Sequence, residues 1–221
     1  MKAALRLGMA LAFLALPTFS AQADPAAGEK IFNDGKCTDC HYTKGPAREK
    51  TIADQLAKKG PELWYAGSKF QKEWLAGWLQ DPKPIRPLKF NSMTEKNPAD
   101  HPKLAKADAG AVTDFLMSLT SDAVKPVKIK AKRNPKGRLI FTKKMPCSGC
   151  HQYPGRKGKI SGGLMGPTLV GAGKRLNSDW IYAYLQQPKV FKPVKMMPVF
   201  VGLLSDKDMK NVTSYVANFK K

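Results

Sequence analysis

The chain holds four cysteines and three histidines, and two of the histidines each stand directly behind a pair of cysteines. The segments read Cys37-Thr-Asp-Cys40-His41 and Cys147-Ser-Gly-Cys150-His151. An even cysteine count would suit disulfides in an oxidising compartment. Two thiols three residues apart, followed at once by an imidazole, suit different chemistry. On one helical turn both thiols can add to the vinyl groups of a single porphyrin, and the next residue then faces the iron as its proximal ligand. A redox-active dithiol or half of a zinc site needs only the C-x-x-C. A zinc site built from both pairs would have to bring together segments about 110 residues apart and leaves each following histidine without a role. The spacing therefore predicts two covalently bound haem c groups, one on Cys37 and Cys40 and one on Cys147 and Cys150, with His41 and His151 on the iron.

The elements that must position these motifs occur twice. Gly28-Glu-Lys-Ile-Phe32 precedes the first motif and Gly137-Arg-Leu-Ile-Phe141 the second. Behind them come Gly60-Pro-Glu-Leu63 and Gly166-Pro-Thr-Leu169, then helical stripes beginning at Trp74 and Trp180 that run into Pro82 and Pro188. Each half closes on another helical pattern, Ala111 to Leu116 and Asn211 to Val216. Apolar residues at i, i+3 and i+4 predict three main helices per half, with irregular Gly- and Pro-rich connections and little strand, hence an all-α chain. The expected organisation is a signal peptide over 1–23, a first domain over 24–120, a linker over 121–136 and a second domain over 137–221. Between Ser121 and Lys136 six cations and two prolines face the single acid Asp122, a composition suited to an extended, solvated connection. The stripes of Trp74, Trp78 and Trp180 are expected to fill cores. Gly155 to Gly163 has the composition of a phosphate loop without its ordered spacing, and reads as a basic loop beside the second cofactor.

The order of N-terminal helix, C-x-x-C-H, Gly-Pro-x-Leu, middle helix, methionine loop and aromatic C-terminal helix resembles class I c-type cytochromes. It appears twice, so the whole chain resembles the dihaem cytochrome c4 type, with two tandem domains. The resemblance implies that N- and C-terminal helices cross in each half, placing Gly28 and Phe32 near Phe115, and Gly137 and Phe141 near Tyr215. It also implies a methionine as the sixth iron ligand. In the second half Met197 directly precedes Pro198, as in the family's ligand loop, with Met196 as the alternative. In the first half Met93 is the candidate, although no proline follows it and its loop is two residues longer. His101, the one histidine outside the motifs, is its rival; within the polar run Asn97 to Lys103 it reads as a surface residue. Two histidines on the first iron would give that haem a lower reduction potential than histidine and methionine.

Lys2 and Arg6, the apolar run Leu7 to Leu16 and Ala21-Gln-Ala23 have the layout of a secretory signal cleaved before Asp24. Export to the periplasm of a Gram-negative bacterium is the expectation. The formal charge is +21, or +19 once Lys2 and Arg6 are removed, which suits acidic protein partners or an anionic membrane surface. Export argues against nucleic acid. By resemblance, the chain is expected to be an electron carrier, not an enzyme. Its donors would be a quinol-oxidising complex or a dehydrogenase, and its acceptors a terminal oxidase or reductase. The alternative is a haem enzyme or enzyme subunit, of dihaem peroxidase or sulfur-compound dehydrogenase type, with one accessible iron.

Overall fold

A computed structural model describes residues 24–194 and 197–220; the expected signal peptide over 1–23 and the alternative ligand Met196 lie outside the described residues. In the first half, α1 (Pro25–Asp34), α2 (Ile52–Ala57), α3 (Ala66–Lys69), α4 (Lys72–Gln80) and α5 (Lys106–Ser118) follow one another. The second half consists of α6 (Pro135–Leu139), α7 (Cys147–Cys150), α8 (Ala172–Arg175), α9 (Ser178–Gln186), α10 (Pro188–Phe191) and α11 (Asp206–Val216). The only paired strands among the described residues are the two-residue β1 (Tyr153–Pro154) and β2 (Ile160–Ser161). The fold is all-α, as expected. Among the described residues, no helix is long and apolar enough to cross a membrane.

Both halves begin in the same way. The Asp24 carboxylate accepts from Ala26 N at 3.0 Å with Pro25 opening α1, and the Asn134 side chain accepts from Gly137 N at 2.8 Å with Pro135 opening α6. Proline fits there because its missing N–H is one that a first helical turn leaves unpaired anyway. Pro135, read from sequence as part of a linker, is thus the first helical residue of the second half.

The expected helix crossings are present, and glycine is what allows them. A Cβ on Gly28 would lie 2.0 Å from Ala111 O of α5, and one on Gly137 would lie 2.2 Å from Asn211 O of α11. Phe32 then meets Phe115 at 5.6 Å between ring centres, and Phe141 meets Tyr215 at 5.8 Å. The halves differ at one point. Nine positions separate Gly28 from Cys37 and ten separate Gly137 from Cys147. The second half absorbs its extra residue as a π-turn over Ile140–Lys144, closed by Met145 N donating to Ile140 O at 2.9 Å. A π-turn adds one residue without ending the helix, so Phe141 and the cysteines both reach their places.

After a turn closed by Val124 N donating to Ser121 O at 3.0 Å, the linker runs without helix or strand to residue 134, but it is strapped to the second half. Lys128 N and Ile129 N both donate to the Asp179 carboxylate at 3.2 Å, and Ser214 Oγ donates to Lys130 O at 2.7 Å. Ala123, Val124 and Ile129 pack against that half's core.

The halves join through equivalent backbone. Phe70 and Leu176, each directly after its short helix, form an antiparallel bridge. Gln71 N donates to Arg175 O at 2.9 Å and Asn177 N to Lys69 O at 2.8 Å. Tyr65 of the first half is fully buried in the second half's core, stacked 6.1 Å from Trp180 and edge-on to Phe191 at 5.0 Å. Trp74, Trp78 and Trp180 pack against the cores, as their spacing predicts.

Candidate functional site

Each cysteine pair sits on a short turn that follows the N-terminal helix. In the first, Cys37–Asp39 is a 3-10 turn, and in the second Cys147–Cys150 is α7. His41 N donates to Cys37 O and His151 N to Cys147 O, both at 3.0 Å, so the turn itself fixes where each histidine leaves the backbone. The four cysteines are free, which leaves both thiols of each turn open to addition. Burial pushes the Cys37 thiol up and the Cys147 thiol up to about 11.

The Gly-Pro-x-Leu segments explain themselves against the histidines. His41 Nδ1 donates to Pro61 O at 2.7 Å, and His151 Nδ1 donates to Pro167 O at 2.7 Å. A carbonyl can only accept, so the proton is on Nδ1 and the lone pair on Nε2, the atom a metal takes. Gly60 and Gly166 lie flat against the rings: a Cβ on Gly60 would stand 2.8 Å from His41 Cε1, and one on Gly166 2.4 Å from His151 Cε1. Burial lowers both imidazole pKa values, against the opposing proline hydrogen bonds.

A covalently bound porphyrin fits this donor set. Each half offers two thiols and one oriented imidazole, and the second site adds two largely buried cations that would suit an anionic group. Arg175 is buried and gives Nη2 to Thr168 O at 2.6 Å. Arg86, from the first half, reaches across to Met165 O at 3.0 Å and keeps a buried Nε without a protein partner. Both guanidinium charges act on His151. The sequence does not reveal Arg86, because its target is 79 residues away. The basic loop expected beside the second cofactor folds as the β1–β2 hairpin. Its two following glycines lie back on the motif, where a Cβ on Gly162 would be 2.0 Å from His151 O and one on Gly163 1.9 Å from Gly149 O.

The two candidate methionines stand in unlike surroundings. Met197 is partly buried against the second core. Met93 is 60% exposed, on a loop closed by the Leu88–Lys96 bridge and by Lys89 N donating to Glu95 O at 2.9 Å. Asn91 takes a left-handed conformation there, and its Nδ2 donates to Gln55 O at 2.7 Å and Lys58 O at 3.0 Å, so the loop is tied to α2. His101 is exposed, as expected, and its ring lies near that of His41, with centres 6.2 Å apart.

Directly behind Pro61, the fully buried Glu62 carboxylate joins the halves. It meets Lys58 Nζ at 2.5 Å, Lys192 Nζ at 2.6 Å and Tyr65 OH at 2.6 Å. Lys58 also meets the buried Glu49 at 2.6 Å, and Tyr42 OH donates to Glu49 at 3.0 Å. Burial opposes the Glu62 charge, but Lys192 and Lys58 together outweigh it and hold the carboxyl down at about 2. Lys192 lies in the loop that carries Met197, so the back of the first site and the front of the second share one charge cluster.

The family model for cytochrome c matches residues 25–120 and again 135–220. Cytochrome c oxidase subunit 2 of Bacillus subtilis (strain 168) is 31% identical over 100 residues, which are 43% of this chain and 26% of that protein. The chain thus spans about a quarter of the length of that relative. Among solved structures, the reducing HAO-like protein complex of Kuenenia stuttgartiensis aligns with 88% of this chain and 96% of the other at 18% identity and a TM-score of 0.33.

Proposed function

The chain belongs to the cytochrome c family, and from that premise we propose that it is a dihaem electron carrier of the cytochrome c4 type. The family implies covalently bound haem c and electron transfer. Two haems are the proposal's reading of two domains, and the observation that carries it is the duplicated proximal geometry. Each thiol pair, each Nδ1–H to proline carbonyl bond, at 2.7 Å in both, and each glycine under the imidazole occurs in both halves. Bound haem supplies one reversible electron per iron.

The chain's own residues do the rest. Cys37 and Cys40 anchor one porphyrin, Cys147 and Cys150 the other, and His41 and His151 each present Nε2 to iron. Met197 supplies the second iron's sixth ligand from its partly buried loop, and Arg86 and Arg175 offset anionic charge beside His151. If each iron held a sixth ligand from the chain, no position would be open to a substrate and the chemistry supplied would be electron transfer. The mature protein, reduced and mixed with carbon monoxide, is therefore expected to bind it only slowly at both haems. Fast, stoichiometric binding at one haem would overturn the carrier reading in favour of a haem enzyme.

An exported carrier with this charge would work in the periplasm with acidic redox proteins. Its donor would be a quinol-oxidising complex or a dehydrogenase, its acceptor a terminal oxidase or reductase, with an anionic membrane surface as a further attraction. The chain's 38 lysines and arginines far outnumber its 17 acidic residues. Such a field speeds encounter and shortens the complex's life. The second-order rate with an acidic redox partner should drop at least tenfold between low ionic strength and about 0.15 M salt, where the screening length is about 8 Å. A rate flat with salt in stopped-flow mixing would remove the electrostatic basis for these partners.

A further inference from the structure

We infer that His101 is the sixth ligand of the first haem, so that this iron carries two imidazoles while the second carries an imidazole and a thioether. The inference rests on the reading above that Cys37, Cys40 and His41 hold a haem.

Distance is the first support. Two imidazoles trans on one metal, each with a metal–nitrogen bond of about 2 Å and a ring centre about 1 Å beyond the nitrogen, place their centres about 6 Å apart. The His41 and His101 rings stand 6.2 Å apart, with their planes at 43°. Trans ligands may take any torsion about their common axis, so the angle is compatible with both rings on one iron.

Tautomer is the second. His101 Nδ1 donates to the carbonyl of the next residue, Pro102, at 2.9 Å, a local bond where those of His41 and His151 reach distant prolines. It nonetheless keeps the lone pair on Nε2, the atom a metal takes.

The third support is that His101 is held in place by the fold. Trp78 of α4 packs against the ring at 4.7 Å between centres, and its indole Nε1 donates to Lys83 O at 2.9 Å. Leu104 N donates to Leu79 O at 3.0 Å, and Lys103 meets Asp81 at 2.9 Å, tying the chain just after His101 to the end of the same helix. Ahead of His101, Asn97 N donates to Pro87 O at 3.0 Å and a left-handed turn at Ala99 redirects the backbone. Met93 is 60% exposed on a loop fastened to α2 through Asn91, and its ring-free side chain has no packing partner like Trp78 on His101 among the described residues. The missing proline after Met93 fits a loop with no ligand to present. An imidazole in place of a thioether would lower the first haem's potential relative to the second, favouring electron flow from the first half toward the second.

The test uses the mature holoprotein, with haem content of each half measured first by mass spectrometry of its proteolytic fragments. In the oxidised protein the far-red sulfur-to-iron charge-transfer band should have the intensity of one methionine-ligated haem. His101→Ala should convert one haem to a high-spin spectrum, and Met93→Leu should leave the spectrum unchanged. A band of twice that intensity, or loss of half of it in Met93→Leu, overturns the assignment of His101 and leaves the dihaem reading standing. A fragment spanning Cys37 and Cys40 that carries no haem overturns both. The wild-type band decides the matter even where His101→Ala does not fold.

Discussion

Glu62→Gln should destabilise the protein by about 3–5 kcal/mol, because it removes the anion from a buried cluster, leaving Lys192 facing a neutral amide and Lys58 with Glu49 alone. The carboxylate is fully enclosed and contacts a cation from each half, so the loss falls on the junction between domains. Chemical denaturation at pH 7 should show it as an earlier transition, and as one that splits because the halves no longer unfold together. The pH dependence has a definite sign. The folded-state pKa of about 2 lies below the ordinary value of 4.5, so the stabilisation is complete above about pH 4.5 and is lost as pH falls toward 2. The wild type should weaken steeply in that window and the variant much less. Since desolvated charges are costly in themselves, adding Lys192→Met to Glu62→Gln should restore part of the loss. An acid limb identical in wild type and variant would show that the cluster does not hold the halves together.

Gly137→Val should be nearly as damaging, at about 3 kcal/mol, with a fall in Tm of roughly 6–12 °C for a chain whose halves unfold together. The first carbon of any side chain there would stand 2.2 Å from Asn211 O and 2.7 Å from Tyr215 Cβ. Both belong to the α11 backbone or its root and cannot rotate aside, so the helices must separate. Phe141 would lose its seat against Tyr215, and with it the turn bearing Cys147 and His151 would shift. Glycines of the same chemistry in open surroundings should respond with the opposite sign. Gly77 in α4 and Gly110 in α5 have nothing within 4 Å of an added Cβ, and alanine at either should stabilise by about 0.5–1 kcal/mol through helix propensity. Calorimetry on the three variants compares the effects directly; a neutral Gly137→Val would mean the crossing is looser than its backbone contacts indicate.

Those glycines illustrate what was legible in the residues. Gly28 and Gly137, each four positions before a phenylalanine and about ten before a cysteine, mark the crossings because close backbone approach leaves a small residue at a fixed place. The Gly-Pro-x-Leu segments were legible as repeats, though not as histidine supports, since a string of letters does not show that a proline carbonyl faces an imidazole 20 residues earlier. Pro135 was misread for a related reason: proline interrupts helices and also opens them, and only the Asn134 side chain on Gly137 N distinguishes the two. The π-turn left a trace in the count from glycine to cysteine, but propensity carries no signal for it. The Glu62–Lys192 pair and Arg86 act between residues far apart along the chain, and periodicity reports which face a residue occupies, never what covers that face. His101 is the sharpest case, because its neighbours Asn97, Asp100 and Lys103 are polar whether the ring points to water or to iron.

The backbone exchange between Lys69–Gln71 and Arg175–Asn177 has a consequence for how such a chain can be divided. Each segment gives one hydrogen bond and takes one from its own counterpart, with Phe70 opposite Leu176 at the centre. That is the pattern of an isologous interface, in which one surface is complementary to itself and closes about a two-fold axis. A single half therefore already carries both sides of this backbone contact, and two copies of one half could pair through it as the two halves do here. The tether over 121–134 does not create the contact; it raises the local concentration of two surfaces that already match.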